Sequence, residues 1–264
     1  MRKHTSSRTG VPELAIVVLM LGGLIGPNRV WADGPIAQPG AFHSYYVPSV
    51  AHLGGATGTT WRTDLSAVNT STTDQVDLTF NYYDVSNSVG IGAVATIPPG
   101  GTTQWPDVLV SLFQRSPTAS AKGIVHITAT GKLALSSRTY NQASAVATFG
   151  QYYPAIDDNF GVPFGGRGYL PGIKQNAAFR TNIGLVNLND KAGTARITIV
   201  DGTGAIRGTP KLVEVQPYRW LQVDRIFDDV GAGDLDTAYA VIEVVTTFSK
   251  IWAYASVIDN ATGD

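Results

Sequence analysis

After residue 32, apolar and polar residues alternate along most of the chain with a period of two. VDLTFNYYDV, GIVHITAT, ARITIV and YAVIEVVTTF are rich in β-branched and aromatic residues. That pattern sets the apolar side chains on one face of a strand. Turn formers separate the runs: Pro98-Pro99-Gly100-Gly101, Asp201-Gly202-Thr203-Gly204 and Gly231-Ala232-Gly233-Asp234. Their spacing predicts an all-β chain of antiparallel sandwich type. The alternation loosens around Trp105–Phe113 and Leu221–Val230, where short helical turns are expected.

The strand pattern is written twice. Trp61-Arg62-Thr63-Asp64-Leu65-Ser66-Ala67-Val68-Asn69 returns as Phe179-Arg180-Thr181-Asn182-Ile183-Gly184-Leu185-Val186-Asn187, 118 positions later. Pro99 and Pro217, and Gln104 and Gln222, keep the same offset, and Ser137…Asn141 matches Ser256…Asn260 at 119. Two tandem domains follow, at residues 43–157 and 168–264, with a short, partly packed linker at 158–167. Period two puts Trp61, Thr63, Leu65 and Ala67 inward, and Phe179, Thr181, Ile183 and Leu185 likewise. Arg62 and Asp64 share the other face, where the arginine is expected to brace the sheet; binding a ligand anion is the alternative. Asn69 and Asn187 end their strands as turn residues able to bond nearby backbone.

A W/F-R-T-D/N strand ending in V-N, a P-G-rich turn, an S-R-T-Y-N segment and F-G-Q-Y occur here as Trp61–Asn69, Pro98–Thr103, Ser137–Asn141 and Phe149-Gly150-Gln151-Tyr152. In this combination the chain resembles the tandem repeats of secreted bacterial proteins. The resemblance covers most of residues 43–264. It implies immunoglobulin-like β-sandwich domains, and neither a settled function nor catalytic residues. The second copy departs from the pattern. It has Tyr254-Ala255-Ser256-Val257-Ile258-Asp259-Asn260 for the S-R-T-Y-N run, and no counterpart of TFGQYYPAI.

The N-terminus reads as an address. Arg2, Lys3 and Arg8 precede the 12-residue apolar run Leu14–Ile25, then Pro27 and Val30-Trp31-Ala32. A spanning helix needs about 20 apolar residues, so residues 1–32 are expected to be a cleavable secretory signal. Residues 33–42 form an N-terminal linker. An uncleaved anchor is the alternative. No other stretch is long and apolar enough to span. The product is expected to be secreted, periplasmic or on the cell surface.

Composition narrows the chemistry. The formal net charge is −1 and the Cys count is zero. The first excludes an electrostatic nucleic-acid binder. The second excludes disulfide scaffolds, zinc ribbons and thiol nucleophiles. No G-x-S-x-G elbow, H-E-x-x-H pair or phosphate-binding glycine loop is present. His126 in GIVHITAT reads as a solvent-facing strand residue whose counterpart is Glu243. No catalytic residue and no cofactor is predicted. Two weaker readings remain. Tyr82, Trp105, Tyr140, Trp220 and Trp252 could stack on sugar rings, or fill cores as strand aromatics usually do. Asp228, Asp229, Asp234 and Asp236 could hold Ca²⁺, although they lack the usual loop register. The function expected is a non-catalytic structural, adhesion or binding module, with a protein or glycan partner at the cell envelope. A carbohydrate-binding accessory module is the alternative, and a hydrolase a more distant one.

Overall fold

The computed structural model describes residues 42–54, 59–86, 90–142 and 148–261. The expected signal, residues 1–32, lies outside them, as does the linker before Phe42. The chain is all-β, with open antiparallel sheets in a sandwich-like arrangement.

In the first half the strands are β1 (His43–Gly54), β2 (Thr60–Asn69), β3 (Val76–Asp84), β4 (Ile91–Ile97), β5 (Thr102–Trp105), β6 (Ala121–Ala129), β7 (Leu133–Gln142) and β8 (Thr148–Pro154), with a helical turn α1 (Val108–Ser111) after β5. A connecting stretch holds β9 (Ile156–Asp157), a 3-10 turn (Asp158–Phe160) and β10 (Val162–Pro163). The second half holds β11 (Arg167–Gln175), β12 (Phe179–Asn187), β13 (Gly193–Asp201), β14 (Ile206–Val215), β15 (Trp220–Val223), α2 (Ile226–Val230), β16 (Leu235–Val244) and β17 (Lys250–Asp259). The two helical turns fall where the alternation loosens.

The halves repeat one pairing scheme. In the first, β1-β6-β3-β4 and β8-β7-β2-β5 lie side by side; in the second, β11-β16-β13-β14 and β10-β17-β12-β15. In the first half the two layers form one continuous sheet, because the far end of β1 also pairs with β2 at Leu53↔Trp61. Stretch 158–167 is not a free tether: β10 pairs with β17 (Val162↔Ile251), and Lys250 Nζ lies 2.6 Å from Asp158 Oδ2.

Register corrects one equivalence read from the sequence. Leu65 pairs with Ser137, and Ile183 with Ala255. The offset is therefore 118 here too, and Ser137 corresponds to Ala255 rather than to Ser256. The misreading arose because matching side-chain letters were weighed above strand register, which a single-residue slip overturns.

Each half has its own core. Leu65, Ala67, Leu78, Phe80, Tyr82, Trp105 and Leu109 lie in the first, and Ile183, Leu185, Ile197, Ile199, Phe227, Ile242 and Ala253 in the second. A third cluster joins them: Tyr46, Ile124, Tyr153 and Ile156 from the first half meet Val186, Leu188, Trp252 and Tyr254 from the second. This explains why β12 is buried at nearly every position while β2 alternates. The outer face of β12 and β17 is covered by the first half.

Candidate functional site

The duplicated W/F-R-T-D/N motif is a bracket for the turn after β5 and after β15. Asp107 and Arg225 hold φ of 43° and 47°. That left-handed region is costly for residues with a Cβ unless the surroundings enforce it. The enforcing contact is the same in both halves. Asp64 Oδ1 accepts the Asp107 N–H at 2.8 Å, and Asn182 Oδ1 accepts the Arg225 N–H at 2.9 Å. Thr63 and Thr181 pin the neighbouring strand by accepting the Ala51 and Lys174 N–H groups. Arg180 donates to Asn260 Oδ1 at 2.8 Å.

In the first half the bracket carries charge. Asp107 Oδ2 lies 3.1 Å from Arg62 Nε and 2.7 Å from Nδ1 of the buried His52. The His52 Nε2 faces the Pro117 carbonyl at 2.9 Å. Both ring nitrogens therefore meet protein acceptors, and neither is turned toward a reactant. Arg62 also donates to its neighbour's carbonyl, Trp61 O, at 2.8 Å. Its guanidinium braces the fold, as the strand pattern suggests.

His126 does not face solvent. Its ring stacks on Tyr46 at 4.5 Å and on Tyr218 at 5.8 Å, and Tyr218 stacks on Tyr83 at 4.8 Å. This aromatic column crosses between the halves. Ser44 Oγ lies 2.7 Å from His126 Nε2, a contact that is half of a hydrolytic triad. The carboxylate whose charge acts on the ring, Asp158, is held by Lys250. Burial pushes the His126 pKa down from its usual range, and Asp158 opposes this weakly. With the folded pKa depressed, stability is complete above about pH 6.5 and is lost as pH falls through the folded value. The denaturation midpoint should therefore drop between about pH 7 and pH 5. In His126→Gln that slope should flatten, while an unchanged slope would assign it to other groups.

The five aromatic candidates fall in three environments. Tyr82 and Trp105 are core residues: Tyr82 is fully buried with its hydroxyl on Asp84, and Trp105 packs edge-on against Phe80. Trp252 is buried between the halves; Trp220 is half-buried there and donates from Nε1 to Tyr254 Oη at 2.8 Å. Tyr140 alone lies on an open face, with Arg138 over its ring at 5.0 Å. The five do not form one exposed coplanar set.

The four aspartates do not converge either. Asp229 binds Lys211 at 2.7 Å, Asp236 accepts from Asn176 at 2.7 Å, and Asp228 accepts from Gln175 and lies 3.6 Å from Arg225. Among the described residues no three His, Asp or Glu side chains are placed to hold a metal ion.

One face stands out by comparison of the copies. In the second half, the outer side of β12-β17 is covered at Gly184, Val186, Trp252 and Tyr254. In the first half the same side of β5-β2-β7 is polar and open. A cleft of about 230 Å³ there is lined by Asp64, Ser66, Gln104, Pro106, Ser136 and Arg138. Tyr152, 46% exposed, lies opposite Arg138 on β8. Period-two reasoning places Ser136 and Arg138 outward, so this face was readable in the sequence.

No protein-family model matches the chain, and no curated protein does. Solved structures similar to it include vicilin from Corylus avellana (hazelnut), with a TM-score of 0.21 at 8% identity over 83% of this chain and 74% of that one, and vicilin from Capsicum annuum, with 0.19 at 7% over 81% and 72%. Scores this low carry no argument about fold or function.

Proposed function

We propose that the chain is a non-catalytic, exported binding or scaffold module built from two immunoglobulin-like sandwich domains behind a cleaved signal. The observation that carries this reading is how the duplicated polar residues are used. Thr63, Asp64 and Asn69, and Thr181, Asn182 and Asn187, all bond to backbone groups of their own half. The repeat has kept the parts that hold a scaffold, and the aromatic column sets two scaffolds at one angle. A rigid pair of sheets with one face left polar suits presentation of a surface to an envelope protein or glycan. In the sequence, the basic start, short apolar run and small-residue cut site support export. No helix among the described residues is long and apolar enough to cross a membrane.

The test is expression in a bacterial host, followed by fractionation and N-terminal sequencing. The expected product lies outside the cytoplasm and begins near Asp33. Full-length protein confined to the cytoplasm, or measured turnover of a substrate, would overturn the proposal. Tyr140, Tyr152 and the polar cleft beside them favour glycan as one partner class. Loss of glycan-array binding in Tyr152→Ala would locate such a site on this face.

A further inference from the structure

The layer β1-β6-β3-β4 ends at β4. Among the described residues β4 pairs with β3 alone. The direction of its backbone groups follows from Asp77 on β3. The Asp77 N–H donates to Thr130 Oγ1 at 2.9 Å and its carbonyl accepts the Thr130 N–H at 3.0 Å, both on the β6 side. Successive residues of a strand aim N–H and C=O to opposite sides. Val76, Leu78 and Phe80 therefore bond toward β4, to Ile97, Ala95 and Ala93 opposite them. That leaves Gly92, Val94 and Thr96 with N–H and C=O aimed away from the sheet. All of these are exposed residues, Val94 by 77%.

An exposed edge is a template for another strand, and proteins guard such edges with charge, proline or a bulge. β14, the matching edge of the second half, has each of these. It carries Arg207, Pro210 and Lys211, and its register shifts between Ile197 and Ile199, opposite the left-handed Gly208. β4 has none. Its register to β3 runs unbroken from Val76↔Ile97 to Tyr82↔Ile91, and the chain has no charged residue from Val85 to Pro106.

The strand is also nearly palindromic. Ile91-Gly92-Ala93-Val94-Ala95-Thr96-Ile97 reads backwards as Ile-Thr-Ala-Val-Ala-Gly-Ile, with Gly and Thr exchanged and nothing else changed. We propose that β4 pairs antiparallel with β4 of a second copy of this chain, about a two-fold axis at Val94. That register sets Ile91 opposite Ile97, Ala93 opposite Ala95, Gly92 opposite Thr96 and Val94 opposite itself. Its bonded pairs are the residues that aim outward, Val94 with Val94 and Gly92 with Thr96. Core-facing residues stay opposite core-facing residues, and no like charges meet across the pair. The contact is isologous and closed, because each copy fills the other's edge. The pairing goes beyond the binding-module reading and holds whether or not the chain is exported.

The experiment is disulfide cross-linking of the full chain, which has no Cys of its own. Bonded antiparallel pairs hold their Cα atoms about 5.5 Å apart, within disulfide reach. Val94→Cys should therefore form a covalent dimer under mild oxidation about tenfold or more faster than Thr96→Cys, whose two copies lie roughly 14 Å apart along the edge. Sedimentation of the unsubstituted chain should show its mass doubling between roughly micromolar and millimolar concentration, the range of a small interface. Val94→Lys sets two like charges together at the axis. It should stay monomeric, with its denaturation midpoint unchanged because the site is exposed. Equal cross-linking rates for the two cysteine variants would overturn the proposal, as would a Val94→Lys chain that associates like the unsubstituted one. So would a chain that stays monomeric at millimolar concentration, whether another segment covers the edge or a foreign strand is its partner.

Discussion

Tyr254→Ala is expected to lower the unfolding free energy by about 3–5 kcal/mol, the range for removing a buried large aromatic. Tyr254 is among the largest fully buried side chains. Its ring lies over Gly184, where an added Cβ would sit 2.2 Å from Tyr254 Cε1. It meets Tyr153 edge-on across the interface and accepts the Trp220 indole N–H. Truncation therefore removes contact with both halves at once. The core of the second half lies on the other side of the same sheet, at Ile183, Leu185, Ala253 and Ala255, and should survive. The loss should fall on the coupling between halves, so one denaturant transition should separate into two. Tyr254→Phe keeps the ring and should cost only about 1 kcal/mol, for the hydrogen bond. A single transition with an unshifted midpoint in Tyr254→Ala would show that the interface contributes nothing to stability.

The sequence made the strands legible because β-rich runs were cleanly punctuated. It also showed the two helical turns, where alternation loosened beside β5 and β15. The inward parity of Leu65 and Ala67, and of Ile183 and Leu185, agrees with their burial. What periodicity could not show was that an outward position can be buried by another half. Gly184, Val186, Trp252 and Tyr254 have outward parity and lie in the interface; their counterparts Ser66, Val68, Ala134 and Ser136 remain open or half-open. The signal was in the comparison of copies: one outer face reads polar and the other reads aromatic or apolar. Tyr82 and Trp105 were equally readable by parity, since both sit at inward positions. The aspartates were grouped by nearness in sequence. In space their carboxylates turn to different partners, Lys211, Asn176 and Gln175.

Asn69→Ala and Asn187→Ala should each cost about 2–4 kcal/mol, because each leaves several backbone groups without partners. The Asn69 amide donates to the carbonyls of Asp74 and Ile97 at 2.8 and 3.1 Å, and its oxygen accepts the Ser71 N–H at 2.9 Å. Asn187 repeats this with Lys191, Val215 and the Asn189 N–H, at 2.8, 2.9 and 3.0 Å. Both side chains are buried at the end of a core strand, tying the turn after it to the end of β4 or β14. Aspartate is the informative control. It keeps the acceptor for the N–H but presents oxygen, not N–H, to two carbonyls. Asn69→Asp at neutral pH should therefore be no more stable than Asn69→Ala. Should aspartate restore the wild-type midpoint, the N–H acceptor alone would be the stabilising element, and the two carbonyl bonds would be incidental. Equal losses at Asn69 and Asn187 would mean that the two copies still depend on the same lock.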